Sequence, residues 1–342
     1  GLLASFAQDS SPVRRIAWYE RTLPASAGEL QAYAREHVRP DIQPDDVGLQ
    51  GMRQLLAHHR GGQGDHEMLV SVQVDARRPA AARSIKQLGG GQDGALALIG
   101  EQAVKLAGEL GRIGVLGAPA AVGGRQASVP SARALAGVIR NALDPHTRLE
   151  RERTPARPES DEPGIPAESV GPRARDVHWS YVRADGSLHA TGHLLEWPRQ
   201  DVRATFLEPL LMRSAETRTV AMVMEVLGPR KATRRAERAS EEATANSWLR
   251  RRVGRRTTER DRVREGAVGG AERELAVGHA LVRFSGYVTV SVPEEAGVTE
   301  LDAAFERVQG IALASGLRLE RMHGEQMEAL TFTIPGLCRG LI

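Results

Sequence analysis

The sequence predicts an α+β protein made of two layered α/β units with mainly antiparallel sheets, the second elaborated by a long helical excursion. Three observations carry this expectation. Alternating apolar runs at Val13–Glu20 and Glu67–Val74 are separated by helical patterns. The tripeptide Ala184-Asp185-Gly186 stands between two further alternating runs, which is a hairpin signal. Beyond it, strand and helix patterns alternate to the end of the chain.

In the first half, the strand Val13–Glu20 closes at Leu23-Pro24. Ser26 then caps a helix, with Glu29 three residues on forming a capping box. Pro40 and Pro44 end that helix and open a short second one, Val47–Arg60. A glycine turn leads to the strand Glu67–Val74, whose Met68, Val70, Val72 and Val74 share one face. Two helical stretches follow, divided by Gly89-Gly90-Gly91, the second running from Leu96 to Leu110. Ser131–Leu143 adds another after Pro130.

Residues 145–176 hold six prolines among charges and almost no bulky apolar residue, so they form no packed element of their own. They divide the chain into an N-terminal α+β domain, 1–144, and a C-terminal one, 177–342. A long surface loop within one domain fits the same composition.

After this stretch, Val177–Arg183 and Ser187–Glu196 read as a hairpin closed by Asp185-Gly186. Pairing them puts Trp179, Tyr181, Leu188, Ala190 and Leu194 on one face and His178, Ser180, His189, Thr191 and His193 on the other. A helix from about Asp201 to Met212 follows. Then come a strand (Thr217–Leu227), the excursion (Lys231–Ala280), a strand (Leu281–Val292), a helix (Thr299–Ser315) and a strand (Leu317–Arg321). That order is ferredoxin-like βαβαβ, a layered sheet with helices on one face.

Composition narrows function. A chain of 342 residues with 41% hydrophobic content buries a sizeable core. Aromatics at 4% are too sparse for a stacking surface on single-stranded nucleic acid. A single cysteine, Cys338, excludes a disulfide framework. No apolar run reaches the roughly 18–20 residues that cross a bilayer. Lysine occurs only at 86, 105 and 231 while arginine is abundant, the usage of a GC-rich genome, and the net charge is only +3. The local balance is stronger: from Arg230 to Glu265, 12 arginines and Lys231 face six carboxylates.

No phosphate-loop, nucleophile-elbow or zinc-protease motif occurs in the sequence. His178 and His193, direct cross-strand partners in this register, and His189 on the same face have the residue type for a metal, yet no cysteine and no carboxylate except Asp176 and Asp185 at the strand ends lies nearby, and they read as exposed or hydrogen-bonded strand histidines. The pair His58-His59 with His66 matches no ligand spacing. Gly89-Gly90-Gly91 lies between helices, not at a strand-to-helix turn, and reads as a helix break. Cys338 has only Arg339 beside it as an activator, a poor setting for a nucleophile. These readings give no catalytic, cofactor or metal residues.

The binding candidate is the excursion. Arg250, Arg251, Arg252, Arg255 and Arg256 cluster around Trp248. A solvated helical hairpin, a protein-docking surface and a contact with DNA or anionic lipid all fit this pattern.

Two segments, Ala271–Ser291 (AERELAVGHALVRFSGYVTVS) and Met322–Gly340 (MHGEQMEALTFTIPGLCRG), carry a resemblance. They are similar to the non-motor N-terminal domain of TraC-like conjugative type IV secretion ATPases. With Trp18–Pro24 (WYERTLP) and the strand from His66 to Asp75, the chain resembles an actinobacterial conjugation-type family. Its members are often labelled EccE-like type VII secretion proteins.

The resemblance implies a non-catalytic scaffold that recruits a motor ATPase and other membrane-complex subunits, as one of several copies in the assembly. It also implies a place on the cytoplasmic face of the cell membrane, held by an N-terminal membrane segment. That segment is absent here, where Gly1 opens a stretch that reads as the tail of a helix. The alternative is a nucleic-acid-binding module that contacts transferred DNA through the same arginines.

Overall fold

In the computed structural model the described residues are 5–8, 10–24, 46–58, 65–114, 127–147, 164–198, 202–203, 205–212, 216–229, 231–238, 241, 270, 277 and 279–341. They form an α+β fold around a single eight-stranded antiparallel sheet. The elements in chain order are β1 (Val13–Leu23), α1 (Val47–His58), β2 (Asp65–Val74), α2 (Pro79–Gln87), α3 (Gly91–Gly114) and α4 (Ala132–Leu143). After a 3-10 turn, Ala167–Ser169, come β3 (Arg175–Val177), β4 (Val182–Ala184), β5 (Ser187–Glu196) and α5 (Glu208–Met212). The chain continues through β6 (Arg218–Val226), β7 (Val282–Pro293), α6 (Gly297–Ala314), β8 (Arg318–Arg321) and α7 (Gln326–Phe332).

The strands run in the order β2-β1-β6-β7-β5-β4-β3, with β8 on the same edge of β5 as β4. The two units expected from the sequence therefore share one sheet. The joint is the pair β1–β6, which holds Arg15 opposite Glu225 through Thr22 opposite Arg218 in unbroken antiparallel register. Both strands bury residues on both faces at this joint, Ala17, Tyr19, Ala221 and Val223 on one and Ile16 and Val220 on the other. A strand with two apolar faces needs a neighbour on each side, and neither half of the chain supplies both.

Helices cover both faces of the sheet, where the sequence suggested one. On the first face, α6 packs Leu301, Ala304, Phe305, Val308 and Ala312 onto Leu188, Val220, Val288 and Val290. Further along the same face, Leu106 of α3 joins Phe6, Val13, Ile16 and Val226. On the second face, α7, α4 and the C-terminal segment lie over Tyr287, Val182 and the Ala17–Tyr19 patch. That second face is rich in hydroxyls and histidine, which is why it reads as solvent-facing in sequence. Its polar groups are instead satisfied among themselves: Thr333 donates to the Leu330 carbonyl at 3.0 Å, and Thr289 and Thr191 follow in a chain of 2.7 Å contacts.

The order β5-α5-β6-β7-α6-β8 differs from βαβαβ, because β6 and β7 are adjacent antiparallel partners from Arg218↔Val290 to Val226↔Val282. The excursion between them is thus an elaboration of a hairpin end and not a crossover.

The turn at Asp185-Gly186 is as expected, with Ala184 opposite Ser187 and Asp185 at φ 49°. The first arm of this hairpin is shorter than the sequence suggested. Only Val182–Ala184 pair with β5; residues 178–181 turn back so that β3 pairs with β4, and the edge of β5 beyond Thr191 is taken by β8.

The glycine break is also present. Gly89, Gly90 and Gly91 all have positive φ between α2 and α3, and a Cβ on Gly94 would clash with the Ile85 carbonyl, so the two helices meet at backbone contact. Ser131 caps α4 by accepting from Ala134 N. The capping box at Ser26 and Glu29 lies outside the described residues. No helix among the described residues is long and apolar enough to cross a membrane.

Candidate docking surface

The β6–β7 pairing ends at Val226 opposite Val282, with a last backbone bond from Leu227 N to Leu281 O at 2.9 Å. This end is anchored by charge. Glu225 accepts from Arg14 at 3.2 Å and from Arg283 at 2.9 Å, and Arg14 also reaches Asp75 at 3.0 Å. Asp75 is held below the usual carboxylate range, first by the Arg77 backbone N–H and then by Arg14. The network ties β1, β2, β6 and β7 together where the excursion leaves the sheet.

Residues 231–238 begin the excursion as a helix. Ala232 and Ala236, one turn apart, are buried, and Arg234, Arg235 and Arg238 are exposed on the remaining surface. The small alanines let the helix lie close to the body, which leaves the long cationic side chains in water. Trp248, Arg250, Arg251, Arg252, Arg255 and Arg256 lie outside the described residues.

The returning arm places Ala280 against the cluster of Phe6, Leu106 and Val226. Phe6 is itself buried there, with Lys105 of α3 over its ring. Residue 6 and both roots of the excursion therefore meet at one end of the sheet.

The histidines of β5 do not converge on a point. His189 is fully buried; its Nε2 lies 2.9 Å from the Leu143 carbonyl and its Nδ1 2.8 Å from Ser291 Oγ. A carbonyl only accepts, so Nε2 carries the proton and Nδ1 accepts from the serine. Burial lowers its pKa to about 4. His193 stacks on Tyr287, and His178 stacks on Tyr181 within the 178–181 turn, where it is no cross-strand partner of His193. Among the described residues no cluster of three metal-ligating side chains occurs.

His66 bonds Glu20 at 2.7 Å; the side chain of His58 and all of His59 lie outside what is described. Cys338 is fully buried at φ 46° against Ala17, Tyr19 and Val223, and burial pushes its thiol up to about 11, well away from nucleophilic use.

Two polar features escaped sequence reading. One is the Glu20–His66 pair, joined by Thr22 Oγ1 at 3.2 Å from Glu20 and made diagonally across β1 and β2, where Thr22 is the residue opposite His66. The other is a cavity of about 480 Å³ between the end of α4, the 3-10 turn and the β4–β5 turn. There Arg140 binds Asp185 and donates to the Gly171 carbonyl at 3.0 Å. Only the place of Asp185 in its turn hinted at this site; Arg140 lies 45 positions from Asp185 along the chain and 31 from Gly171.

No protein-family model matches the chain, and no curated protein matches it.

Proposed function

We propose that this protein is a non-catalytic docking component of a conjugation or type IV-like secretion apparatus, in which the arginine-rich excursion recruits a motor ATPase. The observation that carries this reading is the position of the excursion. It is mounted on the end of the central hairpin, braced by Arg14, Glu225, Asp75 and Arg283, and its first turns present Arg234, Arg235 and Arg238 to solvent. A charge-braced base whose first helix shows arginines to solvent suits a partner with an acidic surface. The βαββαβ order of β5 to β8, with β6-β7-β5-β8 adjacent, agrees with a ferredoxin-like unit of the kind the resemblance to secretion ATPases implies. In this reading the chain works at the cytoplasmic face of the cell membrane, beside other subunits of a type IV or type VII-like complex.

The test is a pull-down from host membranes with the wild type and with a variant carrying Arg250, Arg251, Arg252, Arg255 and Arg256 changed to Ser. Recovery of an ATPase with the wild type alone supports docking. Recovery of DNA and no ATPase replaces this reading with the nucleic-acid module. That second reading draws on the excess of 13 basic over six acidic residues in 230–265, and it requires affinity that falls steeply with salt.

A further inference from the structure

Strand β2 is the long outer edge of the sheet. Its ten residues pair with β1 along their whole length, and among the described residues no strand lies on its other side. Edges of this length are ordinarily blunted by lysine, proline or a bulge. Asp65–Val74 contains neither lysine nor proline, the one irregularity in its pairing is the extra β1 residue Arg14 beside Gln73 and Val74, and its ionisable positions are confined to Asp65, His66 and Glu67 at the other end. Met68, on the face shared with Val70 and Val72, is 65% exposed.

We propose that this edge pairs with β2 of a second copy of the chain, antiparallel about a two-fold axis at Leu69. That register is self-complementary. It sets Met68 opposite the partner strand's Val70, so the exposed thioether gains an apolar neighbour. It sets Glu67 opposite Ser71 of the second copy, so that carboxylate faces a hydroxyl donor and no two charges of one sign meet. Ser71 Oγ already accepts from Gly336 N at 3.0 Å, which leaves its hydrogen to donate. Parallel pairing in register would instead stack Asp65 on Asp65 and Glu67 on Glu67. The acidic end and the donor-bearing end of β2 thus specify a second copy in antiparallel orientation over an arbitrary extended peptide.

The size of the contact sets what the experiment must detect. Nine paired residues at about 3.4 Å each, across a sheet about 10 Å thick, bury on the order of 300 Å² per copy. A standard interface buries roughly 800 Å² per partner, so the pairing is weak and concentration-dependent.

The test uses the full chain. Sedimentation velocity over a series of protein concentrations should show a reversible monomer–dimer equilibrium, and Met68→Lys should move it to monomer at every concentration with an unchanged circular dichroism spectrum. Under mild oxidation Leu69→Cys should give a disulfide dimer, because the two thiols face each other across the axis, while Val74→Cys should not. A wild-type chain that stays monomeric throughout overturns the proposal. So does a dimer insensitive to Met68→Lys, or one that crosslinks through residue 74 and not 69.

Discussion

The carboxamide of Gln326 bonds both backbone groups of Thr191: Oε1 accepts from the Thr191 N–H at 2.9 Å and Nε2 donates to the Thr191 carbonyl at 2.9 Å. Nε2 also donates to the Met322 carbonyl at 2.7 Å. On that edge of β5, pairing with β4 stops at His189 and pairing with β8 starts at Gly192. One side chain stands in for the missing strand residue, and it orients α7 on the sheet.

Replacing Gln326 by Glu keeps the shape but turns the donor into a second acceptor facing two carbonyls. The expected cost is about 3 kcal/mol, that of burying a carboxylate oxygen against two carbonyl oxygens. Gln326→Met, which removes both bonds, should cost about 2 kcal/mol. Urea denaturation gives both values; equal stability of Gln326→Glu and wild type would show that this amide does not hold the gap.

Mild acid should weaken the fold through its buried histidines. His189 has a native pKa of about 4, against about 6.5 in the unfolded chain, and His146 is shifted the same way by burial. Between these values the unfolded state binds more protons, so stability rises with pH from about 4 to about 6.5 and is level above that range for these groups. For His189 alone the difference is roughly 3 kcal/mol. Thermal midpoints of wild type and His189→Phe, compared across this range, should show a shallower slope in the variant.

Cys338 should behave as a reporter of unfolding. With its thiol buried and its pKa near 11, labelling by a thiol reagent at neutral pH should follow the opening of the C-terminal segment. Fast labelling of the native protein, unaffected by stabilising co-solvent, would contradict this packing.

Two glycines should respond to alanine in opposite directions. A Cβ on Gly192 would sit 2.8 Å from Phe305 Cζ and 2.9 Å from the Glu320 carbonyl oxygen, so Gly192→Ala should push α6 from the sheet and cost about 2 kcal/mol or more. Gly310 lies within α6 with open space beside it, and Gly310→Ala should stabilise by about 1 kcal/mol. Parallel denaturation curves measure both.

Much of this architecture is written in local pattern. The Asp185-Gly186 turn, the β6 and β7 runs, helix α6 and the Ser131 cap each declare themselves within a dozen residues. What the pattern hides is partnership. His189 and Thr191 alternate with Leu188 and Ala190 as solvent-facing residues would, yet lie buried because α7 and Leu143 supply their partners from more than 40 residues away. Helix α7 went unread for a related reason: seven residues are too few for a periodicity to stand out, and tertiary contact through Gln326 fixes it. The arginine cluster is legible only as charge, and Glu20 with His66 becomes a pair only once the register of β1 and β2 is known.

The insertion of β1 between β2 and β6 bears on how the molecule is made. Residue 15 finds residue 225 as its neighbour, so the ribosome issues 225 − 15 = 210 further residues after Arg15 before the central joint can close. Until then β1 and β2 make at most a two-stranded ribbon, which is marginal in water by itself. Closing so long a loop is slow, and the apolar Ala17–Tyr19 surface stays open to aggregation while it waits. Synthesis of this chain should accordingly depend on a holding chaperone during the interval between the emergence of β2 and that of β6.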